Sequence, residues 1–364
     1  MREAPLSLLP RDAVVSLRVV GTKTELLLPD GRTFTIGSKP EPDVDVHVSS
    51  SMRNGPGAAE YVSGVHLLVQ RKSKQLWIRD QGTTNGTYIE DHRETEGEIV
   101  AGRPFRLGDV TLLPMDPAMR ELRRHLQWVL GLEAHGYVDK MLPVVTSGDP
   151  LLLIGPPDCE QRALAAEVHR TSARRDRGFI AVEEPPASRA EQVAHLAQAD
   201  RGTLFLDLAG VKALPAFFVQ QLFGDQYHVR PIVAAPDFAT AARLLGDLVA
   251  ACLRVIAIPS VRERREDVPR LLDTMIRRLE QERRRVAGTN GEASPTKRQV
   301  SELGTDAVAK LVRFDWPHNF ADLERNAPRL LALIESGGNI RAAARALGVS
   351  HKALGDALRR IMPG

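Results

Sequence analysis

The residues best suited to chemistry in this sequence are cations near its C-terminal end. Between residues 336 and 364 stand Arg341, Arg345, Lys352, Arg359 and Arg360 against one acid, Asp356. Basic side chains at that density can neutralise phosphates, a sequence-independent source of affinity for a polyanion. They fall on two apolar-periodic segments, Ile340–Leu347 and Lys352–Ile361, joined by Gly348-Val349-Ser350. Gly348 suits the left-handed turn after a helix, and Ser350 can cap the next one. Ala343, Leu347, Val349, Leu354 and Leu358 offer a shared apolar seam. This is the layout of a helix-turn-helix, whose second helix enters the major groove. His351, Lys352, Gly355 and Asp356 then fall where bases are read. The plainer alternative is a helical hairpin with a solvated basic face.

Composition narrows the rest. At roughly 150 residues per domain, 364 residues suggest two or three domains. Two cysteines, Cys159 and Cys252, cannot make a disulfide framework, and no CxxC or HExxH spacing offers a metal site. No run approaches the roughly 18 apolar residues of a membrane helix. The opening MREAPLSLLPRD, with an early acid and no long apolar stretch, does not read as a signal peptide, so a reducing cytoplasm is expected. The net charge of +3 is uneven: from Pro259 onward, 20 Lys and Arg face 14 Asp and Glu, giving +6 there and −3 elsewhere.

Three textures follow one another. From Val14 to Pro114 short alternating runs such as VVSLRVV, TELLLP, RTFTIG, VHLLVQR and QLWIRD predict strands, with Asp30-Gly31 as a hairpin signal. Past Asp116, strand-like DPLLLIG, GFIAVE, RGTLFLDL and RPIVAAPD alternate with helical stretches, implying an α/β layer. From Glu266 the chain reads as helical, broken by the loop AGTNGEASPTKRQ.

Three resemblances attach to these residues. GGNIRAAARALGVSHKALGDALRRI resembles the Fis-type helix-turn-helix that ends many bacterial enhancer-binding proteins. LLLIGPPDCEQRALAAEVHR is similar to the P-loop of NtrC-type activators of sigma-54 RNA polymerase, RGTLFLDL to their Walker B strand, IPSVRERREDVPRLL to the start of their lid, and FDWPHNFADLE to their sensor II helix. TFTIG, VSGVHLLVQ, LWIRDQGTTNGTYIE and RPFRLGDVTLL resemble a forkhead-associated (FHA) domain, a fold that binds phosphothreonine peptides.

Departures from these patterns matter as much as matches. A P-loop needs glycines to wrap phosphates with backbone N–H groups, and a lysine for the β and γ oxygens. Gly155 is kept, but Asp158 and Glu160 replace the later glycines and Gln161 the lysine. Asp207 keeps the Walker B carboxylate, whereas Leu208 replaces the glutamate that activates water. Ala321 stands for the sensor II arginine, Arg243 and Arg254 lie only near the arginine-finger region, and residues 178–202 are too short for the sigma-54-contacting GAFTGA loop. In the FHA-like part, Ser63 and His66 match the SxxH signature and Thr84, Asn85 and Gly86 the TNG turn. Ser38 replaces the phosphate-binding arginine and Gly64 the next polar residue, leaving Lys39 or Arg53 to supply the cation.

The expectation is a multidomain chain: an FHA-like β-sandwich over 1–117, a degenerate AAA+-like α/β subdomain over 118–258, its helical lid over 259–335 and an all-α helix-turn-helix over 336–364. It implies a DNA-binding regulator with no catalytic or metal residues and no cofactor, weak ATP and magnesium binding being left open. Its partners would be DNA, a phosphothreonine-bearing protein and, by resemblance, further copies of itself, with no membrane. Two other readings stay open: a working ATPase that activates sigma-54 promoters, and a phosphopeptide adaptor with a vestigial DNA module.

Overall fold

The structure is a computed structural model and describes residues 13–40, 42–52, 61–72, 75–286 and 298–363. The N-terminal strands are β1 (Ser16–Val19), β2 (Glu25–Leu27), β3 (Thr33–Gly37), β4 (Val46–His47), β5 (Leu67–Lys72), β6 (Gln75–Asp80), β7 (Thr87–Ile89), β8 (His92–Glu94), β9 (Glu96–Ile99), β10 (Phe105–Leu107) and β11 (Val110–Met115). They make two sheets, ordered β2-β1-β11-β10-β7-β8 and β4-β3-β5-β6-β9. Alternation along each strand sends Leu67, Val69, Leu76 and Ile78 of one sheet into a common core with Leu17, Val19, Phe105, Leu107 and Leu112 of the other. Asp30-Gly31 does not close a hairpin, because β2 and β3 lie in different sheets. Burial of Leu28 and a hydrogen bond from Arg71 to the Pro29 carbonyl hold the chain as it crosses between them.

Asp116 alone separates the sandwich from α1 (Pro117–Leu130). Its carboxylate accepts the Met119 N–H at 2.7 Å, and Pro117 opens the helix where a missing N–H costs nothing. Next comes α2 (His135–Thr146), a helix absent from the sequence reading. Its buried residues are Val138, Asp139, Leu142 and Val145, so a charge interrupts the apolar period, and Pro143 lies inside it.

Asp139 explains how α2 is placed. It is 2% exposed and accepts from Arg123 of α1 at 2.6 Å and from the Gly21 backbone at 2.8 Å, with Arg18 of β1 at 3.6 Å. One carboxylate thus joins the sandwich to the helices behind it. His135 sits at the same seam, where burial, together with Arg18 and Arg123, lowers its pKa and favours the neutral ring.

The α/β part contains β12 (Leu151–Ile154), α3 (Gln161–Thr171), β13 (Phe179–Val182), α4 (Arg189–Gln198), β14 (Thr203–Asp207), α5 (Ala216–Leu222), β15 (Arg230–Ala235), α6 (Phe238–Leu245), α7 (Asp247–Cys252) and β16 (Arg254–Ala257). The strands pair in parallel in the order β13-β14-β15-β12-β16. Leu151, Leu152 and Leu153 are fully buried, as a strand covered on both faces requires. The remaining helices are α8 (Val268–Val286), α9 (Thr305–Arg313), α10 (Asn319–Glu335), α11 (Ile340–Leu347) and α12 (His351–Ile361). One hydrophobic cluster runs from Leu113 and Met115 of the sandwich through α1, β12, α8 and α10 to Ala343, Leu354 and Leu358. Among the described residues no helix is long and apolar enough to cross a membrane.

Replacing Asp139 by Ala should cost about 3–5 kcal/mol of unfolding free energy, since it leaves Arg18 and Arg123 buried without their counter-charge. Urea unfolding of the full chain reads this directly. A loss below about 1 kcal/mol would show that the seam does not depend on the carboxylate.

Candidate functional site

The carboxyl ends of parallel strands are where an α/β sheet receives ligands. Gly155 follows β12 there, with Asp158 and Glu160 at φ 61° and 66°. Left-handed backbone costs a non-glycine residue about 1–2 kcal/mol, so Asp158 and Glu160 hold a conformation that glycine would adopt freely. Gln161 accounts for what fills it. Its side-chain oxygen accepts the Cys159 N–H at 3.1 Å, and its amide nitrogen donates to the Pro156 carbonyl at 2.6 Å. A backbone donor of the kind that would bind phosphate is thereby satisfied from within.

Helix α10 closes the loop from the other side. The Phe320 N–H donates to the Asp158 carbonyl at 2.9 Å, and Asn319 Nδ2 to the Pro157 carbonyl at 3.0 Å. Asn319 Oδ1 also accepts the Val261 N–H at 3.0 Å. Burial, then the neighbouring Glu324, push the Glu160 carboxyl up. Burial likewise raises the Cys159 thiol to about 12, which leaves it inert as a nucleophile.

Asp207 ends β14, and its carboxylate accepts the Ala209 N–H at 2.9 Å. The next side chain, Leu208, is fully buried. Arg243 is engaged with the carbonyls of Val211 and Lys212, and Arg254 with Asp149 at 3.1 Å.

On the sandwich, His66 is fully buried and organises one loop cluster. Its Nδ1 accepts the Ser63 N–H at 3.1 Å, so Nε2 carries the proton and faces the Gly86 carbonyl at 3.2 Å. Burial lowers the His66 pKa, consistent with this neutral form. Burial tends to raise the Asp80 carboxyl, but bonds from Thr83 and Thr87 bring it below the usual range. Those bonds fix the TNG turn, leaving Thr84 exposed. Asn85 donates to the Tyr61 carbonyl at 2.9 Å, and Arg93 donates to the carbonyls of Thr83 and Thr84. No sequence pattern singled out Arg93 or Asp80, because they brace the turn through tertiary contacts.

Residues 37–39 run beside 63–66: the Ser38 and Lys39 N–H groups donate to the Ser63 and Gly64 carbonyls. A Cβ on Gly64 would lie 3.1 Å from Lys39 Cγ and 3.2 Å from its Cε, so the lysine stem occupies the space a side chain at 64 would need. Lys39 Nζ lies 3.8 Å from Asp43, while backbone bonds hold residues 38 and 39 against Ser63 and Gly64. Arg53, the other candidate cation, lies outside the described residues.

The C-terminal pair forms over Ile340–Leu347 and His351–Ile361. Asn339 caps α11 through the Arg341 and Ala342 N–H groups, Gly348 adopts φ 66°, and Ser350 accepts the Ala353 N–H at 3.1 Å. Arg341, Arg345, His351, Lys352, Arg359 and Arg360 are exposed. The apolar seam differs from the expected one: Ala344 and Ile361 join Ala343, Leu354 and Leu358, while Val349 is 45% exposed. Gly355 is buried and so cannot read a base; Asp356 is ion-paired with Arg359.

Comparison with known proteins agrees with these parts. Residues 34–108 match the FHA domain family. The chain is 26% identical to the transcriptional regulatory protein ZraR of Salmonella typhimurium over 280 residues, covering 66% of this chain and 56% of that one. It is 27% identical to the nitrogen assimilation regulatory protein NtrX of Azorhizobium caulinodans over 239 residues, covering 56% and 48%. The crystal structure of NtrX from Brucella abortus in complex with ATP aligns at 17% identity and a TM-score of 0.40, covering 68% of each chain. The chain spans about half the length of the curated relatives it matches. It carries an FHA domain and is homologous to the ZraR and NtrX regulators, a combination consistent with an NtrC-type enhancer-binding protein.

Proposed function

We propose that the chain is a DNA-binding transcription regulator whose AAA+-like part serves as a nucleotide-independent scaffold. The carrying observation is the C-terminal helix pair, capped at both helix starts and turned at Gly348, with five exposed cations and an ion-paired Asp356 as its one acid. Arg341, Arg345, Arg359 and Arg360 contact phosphates, while His351 and Lys352 at the start of α12 reach the bases. Dimers or higher oligomers would suit such a reader, because paired half-sites need two copies.

Support for the scaffold reading comes from the P-loop. A ligand phosphate would have to displace the Gln161 amide and approach the Asp158 and Glu160 carboxylates without a lysine to offset them. At the position after Asp207, Leu208 is apolar and buried and so cannot activate water. The FHA part recruits a phosphothreonine-bearing protein, with Ser63 and Lys39 on the phosphate and Asn85 and Thr84 on the peptide. Lysine offers a point charge where arginine offers a fork, so binding should be weaker and less geometrically selective than an arginine would give.

Three outcomes test this reading. Arg359→Ala/Arg360→Ala in the full chain should weaken binding to every DNA sequence and flatten the salt dependence of log K by about 2, as two lost phosphate contacts imply. An unchanged slope removes both residues from the interface. Ser63→Ala and Lys39→Ala should each lower phosphothreonine-peptide affinity about tenfold, about 1.4 kcal/mol. Equal binding of the unphosphorylated peptide would end the phosphate reading. Finally, ATP with magnesium at about 1 mM should leave the melting temperature unmoved, whereas a clear rise would mean that the loop still takes nucleotide.

A further inference from the structure

The last turn of α8 carries Arg283, Arg284 and Arg285 in succession. We infer that this run is a second phosphate-contacting surface, extending the DNA footprint beyond the helix-turn-helix. The inference rests on the DNA-binding reading above and adds a surface to it.

Position carries the argument. Arg283 Nη1 lies 3.2 Å from Oε1 and 3.3 Å from Oε2 of Glu335, the last residue of α10. Gly337 and Gly338, at φ 56° and 83°, then turn the chain so that α11 begins at Ile340. The end of α8 is therefore tied to the end of α10, from which a short glycine turn leads into α11 and the exposed Arg341. In a helix-turn-helix the first helix crosses the sugar-phosphate backbone, so a cationic turn tied to the residue that leads into that helix is directed at flanking phosphates.

Charge supports the same conclusion. The nearby acids are Glu280, Glu282, Glu302 and Glu335. Glu282 pairs with Arg285, Glu302 with Arg298 and Glu335 with Arg283. These are exposed pairs, only weakly stabilising in water, which a DNA phosphate can replace. Arg284, half-buried, is the cation that acts on Glu280 one turn earlier, without a salt bridge within 4 Å among the described residues. A cation at a helix C-terminus also offsets the helix dipole. That role needs proximity to the last carbonyls and is indifferent to DNA, so the two accounts separate by experiment.

The test uses the full chain and a duplex carrying a site selected from random sequence by the unmodified chain, titrated across a range of potassium chloride concentrations. Arg284→Ala/Arg285→Ala should flatten the slope of log K against log salt by between about 1 and 2. It should also remove hydroxyl-radical protection from one flank of the footprint. The charge-reversed pair Arg284→Glu/Arg285→Glu should deepen both effects with an unaltered circular dichroism spectrum. An unchanged slope and footprint, with Arg359→Ala/Arg360→Ala still effective, would overturn this inference alone. Absence of any salt-dependent binding by the unmodified chain would overturn the DNA-binding reading and this one with it.

Discussion

Helix α10 is buried on nearly every side, and the rest of the structure is arranged around that fact. Its N-terminal turn holds the P-loop through Phe320 and Asn319, and its C-terminal half buries Leu330, Leu331, Ala332, Leu333 and Ile334 in succession. Five consecutive buried residues cannot lie on one helical stripe, so the helix must be covered from different directions. Part of that cover is the helix-turn-helix, through Ala343, Leu354, Leu358 and Ile361. The basic helix pair and the loop after β12 consequently pack against opposite ends of one element.

Backbone and amide hydrogen bonds join the loop after β12 to α10 directly. Gln161 satisfies the loop from inside, Asn319 from the lid, and the left-handed Asp158 and Glu160 are kept in place by the bonds around them. Backbone strain of this kind persists only where surrounding contacts over-determine it. The same economy governs the sandwich: Asp139 ties it to α1 and α2, and His66 with Asp80 fixes the loops that present Ser63, Lys39 and Thr84.

Much of this was legible in the sequence because it is local. Period-2 alternation located β1, β3, β5 and β6, and the buried leucine run located β12. Gly348 and Ser350 fixed the turn and cap of the helix pair, since both depend on one residue's own backbone. Short or irregular elements were not legible. Strands β4 and β8 are two and three residues long, and α2 places a charge on its buried face. Asp30-Gly31 had the composition of a hairpin, yet which sheet each flanking strand joins depends on partners far away in the chain.

By itself the sequence determined the kinds of module present and the loss of the P-loop lysine and its later glycines, because those are statements about residue type. Only the tertiary structure decided what the replacements do. Gln161 could have been a solvated side chain; its amide fills the loop because Pro156 and Cys159 present a carbonyl and an N–H at the right separation. Gly64 could have been a simple gap; Lys39 lies across it because backbone hydrogen bonds hold residues 38 and 39 against 63 and 64. Gly355 had the spacing of a base-reading position, and it is buried because the Arg359 side chain lies over it. Residue types limit which interactions are available, while distance and direction between segments remote in sequence select among them.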